Sequence, residues 1–125
     1  MFAVADFHAA DLAAAVEALD VAQIDQLPYG VIGLDPAGIV RVYNRTEAQL
    51  SGRKDRPTVG HAFFADIAPC MDNAYFKGRI DAARAAGTLD IEFTFIGDFA
   101  DRERELSVRV QSAGDGGVWI FHKRA

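Results

Sequence analysis

The sequence predicts an α+β fold: a central antiparallel five-stranded sheet flanked by short helices, with an N-terminal helical cap. Three observations lead there. Residues 1–26 repeat apolar side chains at helical spacing, and from Gly30 the pattern changes to alternation. Two strand-like stretches precede a run of short helices and three follow it. The last of these, Val118 to Lys123, is apolar on both faces, which suits a central strand covered on each side.

In order, Leu12, Val16 and Leu19 form one helical stripe, with Asp11 and Glu17 beside it. Asp20 caps a second short helix carrying Val21 and Ile24, which Pro28 ends. Val31 to Leu34 and Ile39 to Tyr43 are strands joined by Asp35-Pro36-Ala37-Gly38, with proline and glycine where a tight hairpin wants them. Alternation puts Ile39 and Tyr43 on one side of the second strand and Val40 and Val42 on the other. Asn44 then caps a short helix closed by Gly52. Asp72 or Asn73 starts another, with Phe76, Ile80 and Ala83 as its buried stripe and Gly87 as its stop. Leu89 to Phe95 alternates, with Ile91, Phe93 and Phe95 inward against Glu92 and Thr94. Leu106, Val108 and Val110 do the same against Ser107 and Arg109. Gly114-Asp115-Gly116-Gly117 turns the chain into the last strand, where Val118 and Ile120 oppose Trp119 and Phe121. A sheet apolar on two faces needs two covers, and the amphipathic opening segment is the candidate for one.

The 125 residues suffice for one domain with one continuous core, spanning 1–125 with a cap at 1–26 and a core at 27–125. A net charge of -5 and a pI near 5.0 argue against nucleic acid and anionic membrane surfaces as partners. No apolar run approaches the ~20 residues of a membrane span, and no secretory leader is visible. The expected location is therefore cytoplasmic and the expected state a monomer. One cysteine can make neither an internal disulfide nor a cysteine-rich zinc site, so no metal is expected.

That cysteine, Cys70, lies near the end of the stretch Gly60 to Met71, directly after a proline. A lone cysteine is most often a small buried hydrophobe. Here Pro69 fixes its own φ and pushes Ala68 out of helical geometry, so the sulfur sits on a stiffened bend suited to aiming a nucleophile. Upstream, Tyr43, Glu47 and Ser51 follow at spacings of four and stack along one face. Such a row is ordinarily a solvated face. Because Tyr43 ends a buried strand, its phenol, the acid and the hydroxyl are instead expected to serve one another or a ligand. Arg53 follows the glycine and can lie across the site as a lid.

These residues carry a resemblance. Tyr43-Asn44 followed by Glu47, then Gly52-Arg53, Gly60, Phe63-Phe64 and Ala68-Pro69-Cys70 make the chain resemble the photoactive yellow proteins, blue-light receptors built on a PAS fold. The likeness runs from Gln26-Leu27 to Trp119-Ile120-Phe121-His122-Lys123-Arg124, which makes residues 27–125 a PAS core. It implies a p-coumaric acid chromophore joined to Cys70 as a thioester. It further implies that Tyr43 and Glu47 hydrogen-bond the phenolate oxygen and that Ser51 supports Tyr43. Arg53 would shield the ring, and Phe63, Pro69 and Phe95 would form the pocket wall. The implied event is trans-to-cis isomerisation rather than an enzyme cycle; proton transfer from Glu47 to the phenolate is then expected to drive a partial unfolding that a downstream signalling protein reads. The loop Ile96-Gly97-Asp98-Phe99-Ala100-Asp101 departs from the family: it is one residue shorter and lacks the tyrosine and methionine that many members carry there.

Elementary electrostatics adds an expectation for Glu47. A phenolate about 4 Å from a carboxylate repels it by about 4 kcal/mol at an effective dielectric of ~20. That raises a carboxyl pKa by roughly three units, and burial pushes the same way. Glu47 is therefore expected to be protonated beside the chromophore. Two other readings compete with the sensor. One is a PAS ligand-binding or interaction module with an inert cysteine. The other is a thiol enzyme of the cysteine–histidine type drawing on His8, His61 or His122, of which the last two are expected on the surface.

Overall fold

The computed structural model describes residues 6–87, 89–98 and 101–124. Helices α1 (Leu12–Glu17) and α2 (Val21–Asp25) lead into strands β1 (Gly30–Leu34) and β2 (Val40–Tyr43), then helix α3 (Arg45–Leu50). A wide helical turn at Phe63–Ile67 and a tight one at Pro69–Met71 precede α4 (Lys77–Ala85). Strands β3 (Asp90–Asp98), β4 (Asp101–Ser112) and β5 (Val118–Arg124) complete the order. The sheet runs β2-β1-β5-β4-β3 with antiparallel pairing throughout, so β5 is central. That is the five-stranded sheet with flanking helices expected from the alternation.

Local chemistry accounts for the element ends. Asp20 accepts from Gln23 N while Gln23 reaches back to Asp20 N, a reciprocal cap on α2. In the β1–β2 turn the Asp35 carboxylate accepts from Ala37 N and Ile39 N, and Gly38 takes a left-handed φ of 84°. Asn73 does not cap α4 as such. Its side chain accepts from Tyr75 N and Phe76 N in a turn just before that helix.

The sheet has a core on each face. On one, Ile32, Val40, Phe63, Met71, Phe76, Ile80, Val108 and Ile120 pack together, with Tyr43, Ile91, Phe93 and Phe95 against them. On the other, the opening segment supplies Phe7, Leu12, Val16 and Ile24, which meet Tyr29, Val31, Trp119 and Phe121. The segment therefore buries more than the stripe of Leu12, Val16 and Leu19. It is also tied down by polar side chains of β4. Arg109 Nη1 donates to the carbonyls of Phe7 and Ala9 at 2.7 and 2.6 Å, and Gln111 bridges Ala10 O and Ala13 N. Arg109 does lie opposite Val108 and Val110, yet it is buried, because the face turned away from the first core lies under the cap.

Strand β2 departs from simple alternation. Leu34 pairs with Val40 and Gly33 with Val42, so Arg41 is an extra residue in a bulge. The bulge turns Val40 into the first core and leaves Val42 against the second, rather than placing both on one side. In the loop after β3, Phe99 and Ala100 lie outside the described residues.

Candidate functional site

The site begins where β2 hands over to α3. Asn44 is buried at that junction and makes four hydrogen bonds. It accepts from Glu47 N and Val31 N and donates to the carbonyls of Ile24 and Tyr29. One side chain thus caps α3 and fixes it against both β1 and the end of α2. Glu47 is thereby turned into the protein and is fully buried. Gly30 makes room for it: a Cβ there would lie 1.9 Å from Glu47 Oε1. Gly30 pairs across the sheet with His122 of β5.

The Glu47 carboxylate meets two groups from β5. Arg124 donates through Nη1 to Oε1 at 2.8 Å and through Nη2 to Oε2 at 3.0 Å, a bidentate pairing. His122 Nδ1 lies 3.3 Å from Oε2. Burial works to raise the proton affinity of the carboxyl, but His122 and Arg124 together outweigh it and hold Glu47 below the ordinary carboxylate range. The expectation of a protonated Glu47 concerns the carboxyl beside an anionic chromophore; the two groups that β5 brings act on it in the opposite sense.

His122 corrects an expectation, since it is fully buried rather than on the surface. His61 is exposed as expected, 4.0 Å from Asp66, and His8 is exposed too. Neither Glu47 partner from β5 was picked out in the sequence, though the signal was there. Residues two apart on a strand share a face, so extending the inward Val118 and Ile120 gives His122 and Arg124.

Tyr43 Oη donates to Ser51 Oγ at 2.9 Å, so the two hydroxyls of the row are joined. Burial, and then the Glu47 carboxylate, push the Tyr43 phenol well above its ordinary range despite Ser51, Arg53 and Arg124, so Tyr43 keeps its proton. Arg53 is near enough to act on Tyr43, but its guanidinium is tied to its own loop, donating to Thr58 Oγ1 and Pro57 O at 2.8 Å each. It borders the phenol without lying free across it.

The thiol arrives from the other end of the same core. In the wide turn, Ala68 N donates to Phe63 O at 2.7 Å, and Ala68 itself is non-helical with φ -133° and ψ 60°. Pro69 then opens the tight turn that carries Cys70, the bend expected from the proline. Pro69 and Cys70 are exposed, while Ala68 and Met71 on either side are buried. Phe63 is buried edge-on to Phe64 at 4.9 Å, and Phe95 lies edge-on to Phe76 at 5.2 Å. Tyr43, Phe63, Ala68, Met71 and Phe95 all join one apolar cluster, so the polar row and the flanks of the cysteine share a core.

Comparison with known proteins identifies the architecture. The PAS fold family matches residues 18–125. The photoactive yellow protein of Rhodothalassium salexigens is 37% identical over 115 residues, 91% of this chain and 92% of that one. The chain belongs to the photoactive yellow protein family. The photoactive yellow protein of Halochromatium salexigens is 35% identical over 102 residues, covering 81% and 82% of the two chains. Among solved structures, the photoactive yellow protein domain of the sensor histidine kinase Ppr from Rhodospirillum centenum superposes with a TM-score of 0.79. It is 37% identical and covers 88% of this chain and 97% of that one. Photoactive yellow proteins are sensory domains, and this chain is of that photosensor type. Among the described residues no helix is long and apolar enough to cross a membrane.

Proposed function

We propose that this chain is a blue-light photoreceptor that carries p-coumaric acid as a thioester on Cys70. The observation that carries the reading is the fully buried Glu47 beside Tyr43, in the same core as the residues flanking an exposed thiol. The donor set suits the group. A thiol at the surface can take an activated carboxyl, and a phenol with an acid inside can hold a phenolic oxygen. Phe63 and Phe95, in the apolar core that Tyr43 and the flanks of the cysteine share, would shield the group from water. When bound, the group supplies trans-to-cis isomerisation on absorbing blue light.

The chain's own residues do the rest. Cys70 Sγ would hold the group as a thioester, the displaced leaving group of the activated carboxyl departing with the thiol proton. Tyr43 and Glu47 orient the phenolic end, Ser51 steadies Tyr43, and Arg53 adds a positive charge beside it. Phe63, Phe95 and Pro69 form the wall. Glu47 is the group that holds or releases a proton within the core: an anion beside it raises its proton affinity, and Arg124 and His122 lower it. A change of charge at Glu47 is the trigger for partial unfolding, which is the signal. The reader is a downstream signalling protein in the cytoplasm, met by a monomeric domain that needs neither nucleic acid nor membrane.

The test is reconstitution. Protein supplied with activated p-coumaric acid is expected to gain the mass of one coumaroyl group and a visible band that blue light bleaches. Cys70→Ala is expected to gain neither. A wild-type protein that stays colourless and unmodified would leave a PAS ligand-binding or interaction module as the better reading.

A further inference from the structure

We propose that His122 is a positioning residue for Glu47: it grips the carboxylate from the sheet side and, with Arg124, keeps a charge on Glu47 compensated inside the core. The geometry starts from strand alternation. Ile120, His122 and Arg124 lie on one face of β5; the first fills the core and the other two reach Glu47. His122 sits on the central strand with Gly30 of β1 and Val108 of β4 beside it, neither of which brings a charge. Phe76, just before α4, presents its ring edge-on to the imidazole at 5.7 Å. The titratable and charged groups around the pair are Arg124, Tyr43 from the end of β2, and Arg53 beyond Tyr43.

Gripped by both Arg124 Nη atoms as a carboxylate, Glu47 only accepts, so the geometry assigns a proton to Nδ1, donated to Glu47 Oε2 across 3.3 Å. That contact leaves His122 Nε2 buried with no hydrogen-bond partner. A buried polar atom without a partner is unfavourable, and an apolar side chain would fill the same place without that cost. What the imidazole adds over an apolar residue is its hold on Glu47.

A regulatory consequence rests on the photosensor reading given above. If Glu47 becomes charged after illumination, two partners are already in place for it, so the charge loosens less of the fold than an uncompensated one. His122 is thus a damper on the opening that Glu47 triggers.

The first test needs no chromophore. The carboxyl carbon of Glu47 is followed by nuclear magnetic resonance against pH in the colourless protein, for wild type, His122→Val and His122→Asn. His122→Val is expected to raise the Glu47 midpoint by about one unit, since a donor to the ionised form is lost. His122→Asn, which keeps a donor near the Nδ1 position, is expected to restore part of that shift. Equal midpoints in wild type and His122→Val overturn the positioning role. If His122→Val does not fold, His122→Asn and the Nδ1 proton resonance of wild type decide instead: an Nδ1 proton coupled to the Glu47 titration supports the role, and its absence overturns it. The second test uses the coloured protein. Light-induced hydrogen exchange in residues 6–26 is expected to be larger in His122→Val than in wild type, and equal exchange overturns the damping. A midpoint shift in a protein that takes no colour would leave the His122–Glu47 pair standing and remove the photosensor reading instead.

Discussion

At Gly30 one missing methyl group decides where a charge can sit. Any side chain there would collide with Glu47 Oε1, and it would do so in the strand residue facing His122. Gly30→Ala is expected to drive the carboxylate off Arg124 and His122 and to destabilise the protein by about 1–3 kcal/mol, an overpacking cost readable by urea unfolding. A variant as stable as wild type would show that Glu47 has another comfortable position. Glu47→Gln tests the charge itself. Removing one member of a buried ion pair costs roughly 3–5 kcal/mol, so this variant is expected to be less stable at pH 7 although it keeps a hydrogen-bond donor. With chromophore attached, its dark absorption band is expected to shift to the red, because an amide localises phenolate charge less strongly than a carboxyl group. An unchanged band would separate Glu47 from the chromophore. Much of this residue-scale picture was legible in the sequence: the spacing of Tyr43, Glu47 and Ser51, the proline before Cys70, and the cap at Asn44. The two groups that grip Glu47 were not. They lie seventy-five and seventy-seven positions away, and only the sheet register brings them into contact.

Individual elements followed from their local patterns wherever each face of a strand met one environment. The caps at Asp20 and Asn44, the Asp35–Gly38 turn and the alternation of β3 and β5 emerged as read, because hydrogen bonding within a few residues and burial on a fixed face determine them. Sequence pattern failed at β2, where a bulge inserts Arg41 and reverses the side to which Val40 points. A bulge leaves alternating residue types unchanged, so pattern alone does not reveal it. The opening segment shows a subtler gap. Its apolar stripe was visible, but its clasp by Arg109 and Gln111 comes from residues about a hundred positions later. That clasp leads to an element-scale prediction. Gln111→Ala deletes the acceptor of Ala13 N and the donor to Ala10 O, bonds worth about 0.5–1.5 kcal/mol each. Native-state hydrogen exchange of amides in residues 6–26 is expected to quicken several-fold, while amides of β5 keep their protection. Equal acceleration in both would mean that the cap and the sheet open as one unit.

On the scale of the whole molecule, buried titratable groups on both sides of the sheet make stability depend on pH from two directions. Glu47 has its folded pKa lowered by His122 and Arg124 against the effect of burial. In the unfolded chain it titrates near ~4.3, so between the folded value and that point the unfolded state binds more protons. Stability therefore rises with pH there: the contribution is complete above the unfolded value and is lost as pH falls. The tyrosines act in the opposite sense. Burial, reinforced by Asp6, pushes Tyr29 up to about 12, and Tyr43 is raised as well. In the unfolded chain both titrate near ~10, so above that pH the folded state holds protons that the unfolded state has released. Their contribution is complete below about pH 10 and is lost as pH rises through the folded values. Urea unfolding across the pH range is expected to give a plateau with a fall on each side. Glu47→Gln should lower the plateau and flatten the acid limb, because the amide has no proton to take up. Tyr29→Phe should flatten the alkaline limb and leave the acid limb unchanged. An acid limb equally steep in wild type and Glu47→Gln would mean that surface carboxylates, rather than the buried pair on the central strand, set the stability of the domain in acid.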